Sequence, residues 1–337
     1  MSSRFCLFVW LLSGSLGAAC VYTPPEPFTE AQVLGGEQVS AVTLNAGQEA
    51  YGFYCLACHG RNGDGRGPSS VGLVTPPRDF RVAMFKFAGV SNGLPHDEDL
   101  ARIVRGGLHG TAMLPWEMPE ETLKAVIQYI KSFSPAGEGW RDPDNEKEEP
   151  IKPGQDPWEG QGAAAIKRGE AVYHGIATCF LCHPSYVSGD KINEYAKTFG
   201  LPAKPTFRPG IWNPEAKASD TYTRPVKGDP TCDDDTECKN SEHECRYGRC
   251  ESKVNILPPD FLVNEIRSGQ TTADIFRTIA SGIPGTAMPR WKGVVADKDL
   301  WAMANYIKSL MSQKGTDGAF ALRNSIKADS IQAHKNA

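Results

Sequence analysis

CLACHGRNGDG, residues 55–65, holds the pattern that decides how this chain folds, and CFLCHP, residues 179–184, repeats its core. Each contains Cys-x-x-Cys-His: Cys55, Cys58 and His59 in one, Cys179, Cys182 and His183 in the other. Cys-x-x-Cys alone serves a redox dithiol or half of a zinc site. The His directly after the second Cys turns the reading toward covalent attachment of c-type haem. Two thiols one helical turn apart reach the two vinyl groups on one porphyrin edge, and the adjacent imidazole is then aimed at the iron. Two covalently attached haem c groups are the expected cofactors, with His59 and His183 as proximal ligands.

A second repeat addresses the sixth iron position. DLARIVRGGLHGTAMLPW, residues 99–116, aligns without a gap on DIFRTIASGIPGTAMPRW, residues 274–291. Such self-similarity points to two copies of one domain. Gly-Thr-Ala-Met is common to both, so Met113 and Met288 are the expected distal ligands, a soft thioether at each iron. Met118 has no partner in the second copy, and His109 is matched by Pro284. Met84, Met303 and Met311 read as core filling. Pro76-Pro77-Arg78-Asp79-Phe80 is echoed by Pro258-Pro259-Asp260-Phe261 with one residue missing, and Gln128–Phe133 by Asn305–Leu310.

Helical periodicity dominates the rest. Asn45 is a plausible cap before Tyr51 and Tyr54, and 163–178 reads similarly before the second Cys pair. Asp97-Glu98-Asp99 opens a helix with Leu100, Ile103 and Val104 on one face, and Thr272 or Asp274 opens its counterpart. Leu123, Val126, Ile127 and Ile130 form one stripe, as do Leu300, Met303, Ala304 and Ile307. No comparable alternating strands stand out, so the expected class is mainly α.

The chain of 337 residues is 40% hydrophobic, enough to bury two cores. Its net charge of -4, with Lys and Arg scattered, gives no footprint for nucleic acid. Arg4, the apolar run Phe5–Leu12 and the small residues up to Cys20 have the layout of a secretory signal. Leu16–Cys20 also resembles a lipoprotein box, with Cys20 as the lipidated residue. Ordinary cleavage near Ala19 and an uncleaved anchor are the alternatives, and each leads out of the cytoplasm. Residues 1–20 are thus the signal, 40–133 the first haem domain, 134–161 a Pro- and Gly-rich linker and 162–312 the second haem domain. Residues 185–257 are an insertion into that second domain, and 313–337 a polar, flexible tail. Within the insertion Cys232, Cys238, Cys245 and Cys250 read as two disulfides, because a polar exported stretch cannot hold itself together by burial. Three connectivities are open.

These motifs resemble the class I c-type cytochromes, here two domains in tandem over about 40–133 and 162–312. The resemblance implies an N-terminal helix crossing a C-terminal one, with Gly47 against Tyr129 and Gly169 against Tyr306. It also implies a Pro carbonyl supporting each proximal His, from Pro76 or Pro77 and from Pro258 or Pro259. The implied function is single-electron transfer with His/Met-ligated haems. Partners would be a quinol-oxidising complex, a terminal oxidase or a periplasmic dehydrogenase, met on the periplasmic side of a bacterial membrane where a lipid at Cys20 would hold the chain. A dihaem enzyme, peroxidase-like or thiosulfate dehydrogenase-like, is one alternative. A fixed cytochrome subunit of a larger oxidoreductase is the other.

Overall fold

The computed structural model describes residues 25–91, 93–145, 147–202, 220–225, 232–238, 243–246 and 249–335. The signal segment and Cys20 lie outside them. Among the described residues no helix is long and apolar enough to cross a membrane.

A short antiparallel hairpin, β1 (Gln32–Leu34) and β2 (Glu37–Val39), precedes helix α1 (Ala41–Tyr54). Ser40 starts that helix, its hydroxyl accepting from the Thr43 amide and so satisfying a donor the first turn leaves open. Asn45, the expected cap, lies inside the helix. Its side chain accepts from Phe28 N and donates to Phe28 O at 2.8 and 3.0 Å, pinning the preceding segment. Then follow α2 (Leu56–His59), α3 (Asp97–Gly106) and α4 (Glu120–Lys131). The second half has α5 (Gly162–Ala171), a π-helical turn at Val172–Ile176 and α6 (Gly189–Thr198). Strands β3 (Asp220–Pro225), β4 (His243–Arg246) and β5 (Arg249–Ile256) pair antiparallel in the order β3-β5-β4. Helices α7 (Thr272–Ser281), α8 (Asp297–Met311) and α9 (Asp317–Lys335) complete the chain. Thr271 and Asp274 close a capping box on α7.

Two aromatic-rich cores result. Tyr51, Phe80, Phe85, Leu123, Val126, Tyr129 and Trp140 fill the first. Tyr173, Phe180, Phe261, Phe276, Trp301 and Tyr306 are central to the second. In each half a helix before the Cys pair packs on the helix after the Met segment, α1 on α4 and α5 on α8. The crossings are closed to side chains. A β-carbon at Gly47 would lie 2.1 Å from the Ala125 carbonyl oxygen and 2.8 Å from Tyr129 Cβ, and one at Gly169 would lie 2.1 Å from Ala302 O and 2.6 Å from Tyr306 Cβ.

One segment departs from expectation, and the linker and the insertion gain definition. Residues 313–337, expected as a flexible tail, instead contain α9, because Ala319 and Ile326 bury their side chains and Arg323 pairs with Asp260 at 2.6 Å. The 134–161 linker is ordered against both halves. Trp140 is buried in the first core and the Ile151 amide donates to Gly89 O. The insertion carries a small sheet that its polar sequence did not announce, held by disulfides Cys232–Cys245 and Cys238–Cys250.

Gly47→Ala and Gly169→Ala should each cost about 3 kcal/mol, the overpacking penalty for a site where backbone blocks the new atom. Gly52→Ala, on the same helix as Gly47 but with nothing within 4 Å, should lose no stability. Urea unfolding followed by circular dichroism measures all three.

Candidate haem c sites

The two Cys-x-x-Cys-His segments adopt one local geometry. His59 N donates to Cys55 O at 2.9 Å and His183 N to Cys179 O at 2.8 Å, so each His stands one helical turn beyond its first Cys. All four thiols are unbridged. Burial, with the neighbouring Cys58 and Cys182 adding to it, pushes the Cys55 and Cys179 thiols up to about 12.

Each imidazole is oriented from behind. His59 Nδ1 lies 3.1 Å from Arg78 O, and His183 Nδ1 lies 3.1 Å from Pro259 O. A carbonyl can only accept, so each ring carries its proton on Nδ1 and its lone pair on Nε2, the tautomer a metal ligand needs. In the first copy the acceptor is Arg78, not Pro76 or Pro77 as expected. Counting back from the shared Asp-Phe aligns Arg78 with Pro259, and that register was available in the sequence. Phe80 and Phe261 stack on the two rings, at 4.3 and 5.0 Å between centroids. Tyr51 Oη donates to Gly60 O and Tyr173 Oη to Pro184 O, clamping the residue after each His. Burial pulls His59 down to about 4 despite the Arg78 hydrogen bond, so it is neutral at pH 7.

The Gly-Thr-Ala-Met loops also share a design. Thr111 Oγ1 donates to Leu108 O and accepts from Met113 N, while Thr286 Oγ1 does the same with Ile283 O and Met288 N. Leu108 N and Ile283 N donate to the Met113 and Met288 carbonyls. Gly107 and Gly282, at φ +64° and +73°, make the bend, since a β-carbon there would meet the Met-Leu or Met-Pro backbone. Each Met is half-buried against the core of its own half. Met118 also touches the first core, Met303 is fully buried, and Met84, read as core filling, is 43% exposed beside the Gly285 loop.

Contacts between the halves pair equivalent positions. A β-carbon on Gly110 would lie 3.3 Å from Glu265 Cβ, and one on Gly285 would lie 2.9 Å from Met84 Sδ. Gly110 and Gly285 align, as do Met84 and Glu265, which is the reciprocity of an isologous contact. Ser91 Oγ donates to Ser281 O at 2.8 Å. Glu148 of the linker stitches the seam, one carboxylate oxygen accepting from Ser91 N and Gly93 N and the other from Arg290. The insertion reaches across as well. Its buried Glu251 takes the Arg66 guanidinium at 2.5 Å, seven residues after His59.

Residues 42–130 match the family model described as cytochrome C oxidase, cbb3-type, subunit III. Among solved structures the chain is similar to a chain of the Kuenenia stuttgartiensis reducing HAO-like protein complex Kustc0457/Kustc0458. Identity is 25% and the TM-score 0.54, covering 79% of this chain and 95% of that one. No curated protein matches. The unbridged Cys pair and Nδ1-protonated His fit a covalent haem without rearrangement of donor types. Residues 42–130 thus form a cytochrome c domain, which supports covalently bound haem c and a role in electron transfer.

His174, which no motif in the sequence marks, is fully buried in the π-helical turn. Its Nδ1 donates to Glu170 O and its Nε2 accepts from Tyr186 N. Burial pulls it down to about 4 from an ordinary 6.5. The unfolded chain therefore binds a proton that the folded chain refuses, and stability is lost as pH falls from about 6.5 to 4, by about 3 kcal/mol in all. Chemical unfolding at pH 5 and 7 should show a smaller pH difference in His174→Gln than in the parent chain.

Proposed function

We propose that the chain is a dihaem electron-transfer protein. Cys55 and Cys58 would hold one haem c, with His59 and Met113 as axial ligands. Cys179 and Cys182 would hold the other, with His183 and Met288. The observation that carries this reading is the duplication of every supporting contact: the carbonyl behind each imidazole, the stacked Phe, the Tyr clamp and the Thr-braced Met loop.

When bound, haem iron supplies a one-electron ferric/ferrous couple whose potential an axial Met raises. The chain's residues do the rest. The carbonyls of Arg78 and Pro259 keep the imidazoles from rotating, and the aromatic cores behind them exclude water. With His59 and Met113 holding one iron and His183 and Met288 the other, no bond would need to form or break as one electron entered from a donor protein and one left to an acceptor. The reciprocal contacts at Gly110–Glu265 and Gly285–Met84 support exchange between the two centres, because both Met loops approach the same seam. Partners of matching chemistry are a quinol-oxidising complex, a terminal oxidase or a periplasmic dehydrogenase, with a lipid at Cys20 as membrane attachment on the periplasmic side. A second reading, a fixed cytochrome subunit, is favoured by the similarity to a chain of a multi-protein complex.

Mass spectrometry of the exported protein should give two haem additions, falling to one in the Cys55→Ser/Cys58→Ser and Cys179→Ser/Cys182→Ser variants. A spectroelectrochemical titration with magnetic circular dichroism should show two low-spin His/Met centres. Met113→His and Met288→His should each lower the potential of a different centre. One haem, or a high-spin iron at rest, would sink the proposal.

A further inference from the structure

Behind each proximal His runs the same short path: the residue whose carbonyl accepts from the imidazole, an Asp, and the Phe that stacks on the imidazole. The Asp is Asp79 in the first copy and Asp260 in the second, and each accepts from the amide two residues on, Arg81 N or Leu262 N. The cations facing them come from different places. Asp79 is paired by Arg81, its neighbour, at 2.7 Å, and Arg66 lies close enough to help hold its carboxyl below the usual range. In the second copy Leu262 stands where Arg81 would be. Asp260, only 8% exposed, faces the Arg323 Nε at 2.6 Å instead, and Arg323 belongs to α9.

Among the described residues no helix of the first half corresponds to α9. The helix is held by Ala319 and Ile326, and its Arg323 joins a network that ends on the ligand-holding loop. Asp260 Oδ1 accepts from Leu262 N at 3.0 Å and from Tyr186 Oη at 3.3 Å, and Tyr186 Oη accepts from Phe261 N at 2.8 Å. Pro259 O, one residue before Asp260, receives the His183 Nδ1 proton. A buried carboxylate so placed favours the more positive, ferric state of the nearby iron, and a cation paired with it cancels that preference.

We propose that Arg323 is a positioning and charge-compensating residue for the second haem, borrowed from the C-terminal helix to do for Asp260 what Arg81 does for Asp79. The inference rests on the two-haem reading above. It makes α9 an element that sets the second centre's potential separately from the first. The electron count is unchanged: one electron reduces one ferric iron, and Arg323 alters only the relative stability of the two states.

The test is a spectroelectrochemical titration of the full chain, with each wave assigned by the shift that Met113→His or Met288→His produces. Arg323→Gln should lower the midpoint of the second-half haem and leave the first unmoved. Arg323→Lys, which keeps the charge, should restore most of the loss and guards against misfolding of the Gln variant. In an Asp260→Asn background the same Arg323→Gln change should have little effect, since the charge it compensates is gone. An unmoved second midpoint, equal movement of both, or an undiminished shift in the Asp260→Asn background would overturn the inference while leaving two haems in place. A chain that incorporates haem only in its first half would overturn the dihaem reading and the inference with it.

Discussion

At each helix crossing a carbonyl oxygen occupies the space that a β-carbon would need, Ala125 O against Gly47 and Ala302 O against Gly169. That approach sets how near α1 comes to α4 and α5 to α8. The spacing in turn decides where Tyr51 and Tyr173 stand, since each leaves its first helix region to meet edge-on the aromatic of the last, Tyr129 or Tyr306. From there each Tyr hydroxyl reaches the carbonyl after the proximal His. The orientation of the imidazole is therefore inherited from a backbone contact more than a turn away. A haem protein needs this rigidity, because an axial ligand that can rotate gives an iron whose potential wanders.

On that shared frame the halves diverge in how they are reinforced. The first borrows Trp140 from the linker and Phe28 from the segment before its hairpin. The second uses α6, whose Tyr195 donates to Glu170, and α9. These additions do not alter the four-part site, but they change what surrounds it electrically. Duplicated sites with unlike surroundings are the arrangement by which one chain can offer two centres that differ in potential.

The sequence made the site legible where chemistry imposes fixed spacing. Cys-x-x-Cys-His and Gly-Thr-Ala-Met are local, so their twofold occurrence could be read directly, and so could the glycines at the crossings once the family resemblance was drawn. Contacts made at long separation were not. Arg66 and Glu251 lie 185 residues apart, and nothing in either neighbourhood announces the other. The burial of His174 was not legible because one polar side chain on an apolar helix has no periodic signature, whereas its two hydrogen bonds join it to a carbonyl one turn back and an amide twelve residues on. The C-terminal segment looked unstructured because only a few apolar residues punctuate it, and Ala319 and Ile326 proved sufficient once Asp260 supplied a partner for Arg323.

The buried pair of Arg66 and Glu251 changes what kind of object the duplication has produced. Glu251 belongs by sequence to the second half, yet its carboxylate is satisfied by a residue beside the first Cys-x-x-Cys-His, and Glu148 ties the same two halves from the linker. Cutting the chain between the repeats would part the buried Glu251 carboxylate from the Arg66 guanidinium. The halves match in their local contacts, but they are not interchangeable parts: neither could be transplanted into another protein as a self-sufficient cassette without first rewriting the residues that answer across the seam.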